Sequence, residues 1–466
     1  MRRTPFLSCA LLVLALFAPA AFAGPPGRDA VRGSLLERGQ CLLGLAAFIL
    51  LAIAIGRLRG ARGRLPWRAM GWGVALQFVF ALIVLQTPNL LWAVNNAIDA
   101  LLGYTRVGAG LVFGNLATGD VPVTAPDGKP LGLAHVSAQF AFFVLPTIIF
   151  FSALTAVAYH SGVMQHVVRG LAWVMQRTMR TSGAETLAAA ANIFVGQTEA
   201  PLLVKPFVAA ATRSELMAIM VGGFANIASG VLGVYTAYLQ PYIADVGGHL
   251  AAACFISAPA SLLVAKLLLP ETETPPTAGG LRYDVERIDA NLIDAAARGT
   301  TEGVALAINV GAMLIAFTAL VAMTNALLAW AGRATHLEAL TGPLTLDGLF
   351  GLVMAPLAWL SGVAWADARD VGALLGVKTV LNEFVAYAQM RDRFAQNPTF
   401  ITPRSAVLAA YALCGFANFA SIGIQVGGIS TMAPTRRADL SRLALLAMIG
   451  GAITSFMTAC VVGVLL

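Results

Sequence analysis

The chain has 466 residues, of which 58% are hydrophobic and only 11% are charged, with a net charge of +7 and a mean hydropathy of +0.78. A soluble domain of ordinary composition carries about 25% charged residues, so this chain has too little charge to cover a water-facing surface of its size. The composition therefore excludes a soluble enzyme, a disordered scaffold and a nucleic-acid-binding module, and its basic residues are better interpreted as markers of membrane topology.

The first 23 residues have the pattern of a secretory signal peptide. Arg2 and Arg3 precede an apolar stretch over 7–17, and the Ala-Phe-Ala sequence at 21–23 fits the small-x-small cleavage rule. An uncleaved membrane anchor is the alternative, although the stretch is short for a spanning helix. Cleavage would leave the mature N-terminus outside the cytoplasm.

Eight apolar stretches are candidates for spanning a bilayer, which takes roughly 20 mostly apolar residues. They are 41–56, 69–86, 138–157, 216–240, 249–268, 303–330, 404–430 and 441–466. The loop after the first stretch should be cytoplasmic, since it holds five arginines: Arg57, Arg59, Arg62, Arg64 and Arg68. Counting onward, the other large basic clusters also fall inside, and the polar stretch 118–136 falls outside as a plain surface loop. Both termini are therefore predicted to be periplasmic.

Three further stretches are too apolar for loops and too polar or broken for ordinary spans. Residues 160–180 mix apolar residues with arginines, a pattern typical of a helix at the cytoplasmic membrane interface. Residues 183–208 and 368–392 have hairpin length and are interrupted by Gly196-Gln197-Thr198-Glu199 and by Asn382-Glu383. We predict that both are re-entrant helical hairpins, whose irregular tips are tolerated in the bilayer only where they line a cavity or are buried in protein.

The two hairpins belong to an internal repeat. Phe224-Ala225-Asn226-Ile227-Ala228-Ser229 recurs as Phe416-Ala417-Asn418-Phe419-Ala420-Ser421, and each copy follows a hairpin that carries one glutamate. By the charge count the hairpins enter from opposite sides, so the repeat is inverted, a construction common in secondary transporters. Chance similarity of small-residue packing motifs is the alternative. The predicted segments are N-terminal scaffold helices in 24–137, a first repeat in 138–268, a cytoplasmic linker in 269–302, and a second repeat in 303–466 that has its own interfacial helix. Each repeat is predicted to contain a broken helix, over 216–240 and over 404–430.

Glu199 and Glu383 are functional candidates, because a charged side chain near the bilayer centre is costly. Structural pairing with Lys205 and Lys378, which lie close in sequence, is the alternative for each. In the functional interpretation the carboxylates accept hydrogen bonds from a polar, hydroxylated ligand, and carbonyls freed at helix breaks coordinate a small cation. Neutral donors and acceptors on the same segments are Asn192, Gln197, Thr198, Asn226, Asn418 and Ser421.

The residues that ATP-driven pumping or membrane hydrolysis would need are missing from the sequence. The stretch 372–379 resembles a phosphate-binding loop, but its glycine-to-lysine spacing is wrong, and neither HExxH nor GxSxG occurs. The five scattered cysteines include no CxxC, so neither a disulfide framework nor a structural zinc site is expected. Secondary transport and passive conduction through a channel remain, with a hydrolase that uses Glu199 and Glu383 as an acid/base pair as a more distant rival.

Three motifs resemble those of the concentrative nucleoside transporter family, in its bacterial form. Gly196-Gln197-Thr198-Glu199-Ala200-Pro201-Leu202-Leu203 and Asn382-Glu383-Phe384-Val385-Ala386-Tyr387 look like its two signature motifs, and Gly415-Phe416-Ala417-Asn418-Phe419-Ala420-Ser421-Ile422-Gly423 resembles its third. The matches occur in family order. The resemblance implies an all-α polytopic membrane protein with about eight transmembrane helices and two re-entrant hairpins. It also implies an elevator-type mechanism, a homotrimer and no enzymatic activity.

The resemblance also implies two groups of substrate-binding residues. Those that would face the nucleobase are Gln197, Thr198 and Glu199, with Val231 beside it. Those that would bind the ribose hydroxyls are Glu383, Asn418 and Ser421, with Phe416 lining the pocket. A carboxylate suits vicinal hydroxyls because it accepts two charge-assisted hydrogen bonds. The implied function is import of nucleosides, pyrimidine nucleosides first and purine nucleosides left open, across the bacterial inner membrane.

No cofactor is expected apart from a coupling cation. By resemblance, Na⁺ would bind to Asn192, Asn226 and the carbonyls of Val195 and Ile227. The sodium-coupled bacterial pattern has a hydroxyl residue in place of Asn226, but an amide oxygen can replace a hydroxyl as a ligand for a hard cation. Some bacterial relatives use H⁺ instead, for which Glu199 would be the carrier, so sodium is the preferred coupling ion and the proton its alternative.

Overall fold

The computed structural model describes residues 31–60, 63, 65–135, 140–279, 289–335 and 344–466. The predicted signal peptide and two of the arginines of the first loop, Arg62 and Arg64, lie outside these residues. The described chain is almost entirely helical, which confirms the predicted all-α class. The four described cysteines are free and buried, namely Cys41, Cys254, Cys414 and Cys460.

The first half of the chain contains eleven helices and one strand pair within the described residues. In order these are α1 (Leu35–Leu58), α2 (Trp67–Gln86), α3 (Pro88–Phe113), α4 (Asn115–Thr118), β1 (Asp120–Thr124), β2 (Pro130–His135), α5 (Phe140–His160), α6 (Val163–Met179), α7 (Gly183–Ala191), α8 (Lys205–Val208), α9 (Arg213–Ala225), α10 (Ser229–Leu239) and α11 (Val246–Leu268). A 3₁₀ turn over Ala200–Val204 leads into α8.

The second half has seven described helices. They are α12 (Leu292–Ala334), α13 (Leu346–Leu360), α14 (Ala368–Val380), α15 (Glu383–Gln396), α16 (Pro403–Leu413), α17 (Phe419–Met432) and α18 (Arg437–Leu465). The centre of the molecule is formed by α9, α10, α11 and α18, whose side chains are mostly buried, whereas α1 and α2 lie at the periphery and α12 is largely exposed.

Six described helical stretches are long and apolar enough to cross a membrane, and a seventh is obtained if the bent pair α5–α6 counts as one span. Where they are described, the eight predicted spans lie on helices. The two stretches predicted as broken helices are divided, 216–240 into α9 and α10 and 404–430 into α16 and α17. Helix α6 turns away from α5 by 75° and exposes Val163, Val167 and Trp173. That geometry agrees with the interfacial helix predicted at 160–180. The chain is a multi-pass membrane protein.

Helix α12 begins at Leu292, inside the stretch 269–302 that was predicted as a linker. Its start is capped by the Asn291 side chain, which accepts hydrogen bonds from the backbone N–H groups of residues 293 and 294. Arg298 then bonds both Asp289 and Glu302, and its hydrogen bonds hold the pKa of Asp289 below its usual range. At 1.5 Å per residue the helix is roughly 65 Å long, about twice the apolar thickness of a bilayer.

Two features between the second and third predicted spans were not foreseen. Helix α3 occupies 26 residues directly after α2, where no element was predicted because polar residues such as Asn95 and Asp99 interrupt the apolar run. The stretch 118–136 is not a plain loop, because β1 and β2 within it form an antiparallel hairpin. Its turn runs from Ala125 to Gly128, whose N–H donates to the Ala125 carbonyl oxygen at 2.8 Å, and Gly128 has φ +80°, a backbone conformation that glycine adopts without strain.

The two predicted hairpins correspond to helix–turn–helix segments. In 183–208, α7 is followed by an irregular tip, the 3₁₀ turn and α8; in 368–392, α14 and α15 are separated by only Leu381 and Asn382. Asn382 begins α15, since its side-chain oxygen accepts the N–H of Val385 at 2.9 Å. Each glutamate stands at the start of the second limb of its hairpin.

Candidate functional site

Two broken helices cross at their breaks, and this crossing organises the site. The first is interrupted between α9, which ends at Ala225, and α10, and the second between α16 and α17. Gly415, at φ +128°, lies in the second break, and a Cβ atom there would be 2.8 Å from the carbonyl oxygen of Phe224. Only glycine permits this approach and this backbone conformation together.

Glu383 is buried, with 4% of its surface exposed, and both of its carboxylate oxygens accept hydrogen bonds. Tyr235 donates its hydroxyl to Oε1 at 2.8 Å, and Asn418 donates Nδ2 to Oε2 at 3.1 Å. Because a carboxylate has about four lone-pair positions, each oxygen retains the capacity to accept a further hydrogen bond. Its position in the first turn of α15 also places the negative charge at the favourable end of the helix dipole.

Asn418 is held at both ends of its amide. While Nδ2 donates to Glu383, Oδ1 accepts the backbone N–H of Ser421 at 2.9 Å and so caps α17. The cap fixes which side of the amide faces Glu383. The structure therefore brings together Glu383, Asn418 and Ser421, which are the predicted ribose-binding residues. Ser421 lies one turn after Asn418 on α17.

Gln197 connects the first hairpin to the second broken helix. Its Nε2 donates to the Ser421 hydroxyl at 3.3 Å, and its Oε1 accepts from Gln425 Nε2 at 3.2 Å. Gln425 also donates to the carbonyl oxygen of Met220 at 3.1 Å and is fully buried. The predicted base-side and ribose-side groups thus meet through one series of hydrogen bonds, which passes through both the hydroxyl and the backbone N–H of Ser421.

Tyr235 and Gln425 were not predicted from the sequence. Gln425 carried a usable signal, because it is a polar residue in an apolar stretch, one helical turn after Ser421. Tyr235 carried none, since a tyrosine in a membrane helix is ordinary; only the fold shows it stacked on Tyr387 with ring centroids 4.3 Å apart and bonded to Glu383.

The remaining predicted base-side residues differ in their exposure. Thr198 donates its hydroxyl to Glu199 at 3.1 Å, and the Glu199 side chain is accessible at the tip of the first hairpin. Val231 is buried on α10, and Phe416 is half-buried beside the second break. Glu199 is therefore exposed, whereas Glu383 is enclosed.

Neither glutamate is paired with the lysine near it in sequence. Lys205 is exposed on α8, and Lys378 donates instead to the carbonyl oxygen of Ala412 at 2.9 Å and to the Ser455 hydroxyl at 3.3 Å. The alternative that each carboxylate merely forms a structural ion pair with its neighbouring lysine is therefore wrong.

Buried amide groups without partners lie beside the first break. Both amide atoms of Asn192 and Nδ2 of Asn226 make no hydrogen bond, although the two residues are 1% and 2% exposed. The side-chain oxygen of Asn226 accepts from Ser257, and Ile227 is buried while Val195 is half-buried. Unpaired buried polar groups are costly. Among these atoms only Asn192 Oδ1 can coordinate a cation, because amide NH₂ groups are donors, and this free oxygen makes the place suited to a cation. Within the described residues no His/Cys/Asp/Glu cluster forms a transition-metal site.

Comparison with known proteins gives one consistent match. Family profiles described as Na⁺ dependent nucleoside transporter N-terminus, nucleoside recognition, and Na⁺ dependent nucleoside transporter C-terminus match residues 43–116, 141–242 and 249–463. Sodium/nucleoside cotransporter 1 of Rattus norvegicus is 39% identical over 438 residues, which are 91% of this chain and 63% of that protein. The Homo sapiens protein of the same name is 38% identical over the same shares. The chain thus spans less than two thirds of these relatives' length.

Solved structures of the transporter CNTnw are similar over nearly their whole length. An inward-facing, substrate-bound state is 37% identical with a TM-score of 0.78, and it matches over 91% of this chain and 97% of that one. An outward-facing state of a CNTnw variant is 36% identical with a TM-score of 0.81, over 93% and 99% of the two chains.

Proposed function

The chain belongs to the Na⁺-dependent, concentrative nucleoside transporter family, and from this premise we propose that it is a symporter that imports nucleosides with Na⁺. The observation that carries the proposal is the buried cluster at the crossing of the two broken helices, where Glu383, Asn418 and Ser421 adjoin Gln197. Such a cluster offers fixed donors and acceptors to a neutral, hydroxylated ligand.

The ribose half of the ligand would be recognised by Glu383. Two vicinal hydroxyls would donate to its carboxylate oxygens, each of which already accepts one bond from the protein. A sugar that lacks these hydroxyls would donate no hydrogen bonds to the buried carboxylate. Leaving a buried polar group without such a partner costs about 1–3 kcal/mol of binding free energy. The site would therefore discriminate strongly against deoxygenated sugars.

The base half would be recognised from the first hairpin. Gln197 presents an amide, Thr198 a hydroxyl and Glu199 an accessible carboxylate, so this side offers both donors and acceptors to the edge of a base. Val231 and Phe416 would supply apolar contacts to the ligand. An amide that can both donate and accept suits pyrimidine bases and does not exclude purine bases.

Na⁺ would bind beside the first break, where Asn192 and Asn226 have amide atoms without partners. The side-chain oxygens of Asn192 and Asn226, the latter through the lone pair left beside its bond from Ser257, would supply the all-oxygen set that a hard cation prefers. The carbonyls of Val195 and Ile227 would complete it. The site adjoins the tip of the hairpin that carries Glu199, so an ion there would order the base-recognising residues. Coupling by H⁺ through Glu199 is the alternative that the experiment below distinguishes.

The proposal includes the setting of the protein. We place it in the bacterial inner membrane with periplasmic termini, as a homotrimer in which the hairpins and broken helices move against a scaffold. Structures of CNTnw are described as inward-facing, intermediate and outward-facing states, which supports such an alternating movement for this chain.

Uptake of radiolabelled uridine into proteoliposomes tests the proposal. Vesicles that hold the purified protein would receive an inward Na⁺ gradient, an inward H⁺ gradient, or neither. Accumulation with Na⁺ alone is expected. Accumulation with H⁺ alone would keep nucleoside transport and transfer the coupling to Glu199, and no accumulation from folded protein under any gradient would refute nucleoside symport.

A further inference from the structure

Lys378 is a buried cation for which the proposed transport cycle has given no role. It lies on α14, the first limb of the second hairpin, with 2% of its surface exposed. Its ammonium donates to the carbonyl oxygen of Ala412 at 2.9 Å and to the Ser455 hydroxyl at 3.3 Å. Ser455 in turn donates to the carbonyl oxygen of Cys414 at 2.6 Å. The ammonium therefore caps the carbonyl end of α16, where free carbonyls and the helix dipole favour positive charge.

The internal repeat identifies the same place in the first half of the chain. Because Asn226 corresponds to Asn418, Gly222 corresponds to Cys414. A Cβ atom on Gly222 would lie 3.1 Å from the Nδ2 atom of Asn192, which follows the first limb of the first hairpin. In the first repeat the hairpin thus presents an amide without partners to the last turn of α9. In the second repeat it presents a fully buried ammonium to the last turn of α16, at Ala412, two positions earlier by this correspondence.

A serine on the following span completes the correspondence. Ser261 on α11 has its hydroxyl 3.8 Å from the same Cβ position at Gly222, and Ser455 on α18 bonds the carbonyl of Cys414. Each repeat therefore assembles a polar group from a hairpin limb, the end of a half-helix, and a serine from the next span. The two assemblies differ in their serine bonds, since Ser261 donates to the Ala258 carbonyl of its own helix whereas Ser455 bonds the half-helix. They differ further in that the second contains a positive charge.

We propose that the Lys378 ammonium is a tethered cation. In the second repeat it occupies the place that a mobile cation at Asn192 would occupy in the first repeat. This inference rests on the proposed function, and it makes Lys378 a positioning residue for ribose recognition. Its bonds join the second hairpin to the break from which Asn418 reaches Glu383. Since a buried charge is stable only with its partners in place, the ammonium holds the hairpin and the break in one arrangement.

The tethered cation explains why one half of an inverted repeat would take up an ion and the other would not. A mobile ion can be released on the far side of the membrane, whereas the Lys378 ammonium remains with the chain. Each protomer is therefore expected to couple transport to one cation site, in the first repeat, while the second repeat is permanently ordered for ribose.

The test compares wild type, Lys378→Met and Lys205→Met as purified full-length proteins. Equilibrium binding of uridine and of 2′,3′-dideoxyuridine is measured in saturating Na⁺, which separates recognition of the ribose hydroxyls from recognition of the base. Lys378→Met is expected to weaken uridine binding roughly tenfold or more and to leave dideoxyuridine binding little changed, so the preference between them collapses. Lys205→Met, which removes the same charge from an exposed position on the first hairpin, should keep the wild-type preference.

A second readout separates positioning from general damage. Because the Asn192 region is untouched, Na⁺ without nucleoside should raise the melting temperature of Lys378→Met as much as that of wild type. Equal weakening of both ligands together with loss of this Na⁺ effect would make Lys378 merely structural and overturn the proposal, as would an unchanged uridine preference.

The experiment has two further outcomes, namely a Lys378→Met variant that does not fold and a wild-type protein that does not bind uridine. If Lys378→Met does not fold, Ser455→Ala carries the test, because it removes the link to the Cys414 carbonyl and keeps the charge. It should lower the uridine preference by a smaller factor, and an unchanged preference would overturn the proposal. Failure of wild type to bind uridine would instead refute the proposed function itself, and this inference with it.

Discussion

Glu383 shows how a membrane protein can keep a carboxylate in its interior. The side chain is bonded by a tyrosine from α10 and an asparagine from the break before α17, so two elements distant in sequence stabilise it. Each carboxylate oxygen accepts one hydrogen bond from the protein and can accept another. The buried carboxylate is therefore stabilised in the absence of a ligand and would favour a ligand that donates to it. This arrangement makes Glu383 the most informative residue to replace.

Replacing Glu383→Gln should abolish most uridine uptake while the protein still folds. Glutamine keeps the shape and one acceptor oxygen but loses the charge, and hydrogen bonds to charged groups contribute about 1.5–3 kcal/mol, which corresponds to roughly a tenfold to hundredfold loss of affinity. Uridine uptake is measured at matched expression, with size-exclusion chromatography to check assembly. Normal uptake by this variant would remove Glu383 from the binding site.

Replacing Gln425→Leu should lower both stability and uptake. Leucine is apolar and similar in size, so it leaves Gln197 Oε1 and the Met220 carbonyl without the donor they now share, at a cost of about 1–3 kcal/mol. Thermal unfolding and uptake of several nucleosides measure the two effects. Gln396→Leu, at an exposed position on α15, is the matched control and should behave as wild type. Unchanged stability and uptake in Gln425→Leu would mean that Gln197 needs no such support.

At the scale of elements, the long helix α12 is held to α5 by close contact of small residues. A Cβ atom on Gly303 would lie 2.8 Å from the Cα of Ile149, and one on Gly299 would lie 2.8 Å from the carbonyl oxygen of Ser152. Small residues that let two backbones approach are a common means of helix association in membranes. Most of the rest of α12 is exposed, so these contacts carry much of its attachment to the rest of the chain.

The contrast between Gly303→Ala and Gly311→Ala tests this attachment on a single helix. At Gly303 the new methyl group would meet backbone, and overpacking of this kind costs typically about 1–3 kcal/mol. At Gly311 the nearest atom is a leucine side-chain carbon at 3.6 Å, an ordinary contact, so the substitution should be tolerated. Melting temperatures of both variants measure the difference, and equal melting temperatures would show that α12 can shift without cost.

The elements that could be predicted from the sequence were those in which polar residues interrupt apolar runs. The tips of both hairpins and the break at Asn418 lie where such interruptions occur, because a polar group in the bilayer must be bonded within the protein. Helix α3 and the β1–β2 pair were not predicted, because the polar residues in these two stretches also fit an ordinary loop outside the bilayer. The start of α12 at Leu292 depends on the Asn291 cap and on the Arg298 ion pairs, which hydropathy does not register.

Side-chain partners were less predictable than elements. The sequence placed Glu383 and Asn418 in one site through the motifs they belong to, but it could not exclude an ion pair between Glu383 and Lys378. Glu383 lies five positions after Lys378 in the chain, yet Lys378 points to the end of α16 instead. Which of two nearby polar groups a charged side chain bonds depends on the crossing of whole helices, and no local pattern contains that information.

At the scale of the whole molecule, the two repeats meet at one crossing and differ in what they hold there. In the first half, both amide atoms of Asn192 and the amide nitrogen of Asn226 have no hydrogen-bond partner. In the second half, the Lys378 ammonium is hydrogen-bonded to Ala412 and Ser455. An ion that orders the first half would therefore also order residues of the second half, because Gln197 links the first hairpin to α17. Ion binding and nucleoside binding are then expected to strengthen each other.

Na⁺ alone should stabilise the folded protein, and Asn192→Ala should remove that effect. A ligand that binds only the folded state stabilises it by about 2.7 kcal/mol at a hundredfold excess over its dissociation constant, so the melting temperature should rise with Na⁺ concentration in wild type. Choline chloride at equal ionic strength controls for salt, and Asn96→Ala, at an exposed position on α3, controls for the substitution.

The same titration decides between the two coupling ions. In Asn192→Ala the amide atoms now buried without partners are gone, so Na⁺ loses a ligand while Glu199 is unchanged. A protein coupled to Na⁺ should then lose both the melting shift and Na⁺-driven uridine uptake. If the Na⁺ shift persists undiminished in this variant, the cation binds elsewhere; if wild type shows no shift and its uptake follows H⁺, Glu199 becomes the coupling group.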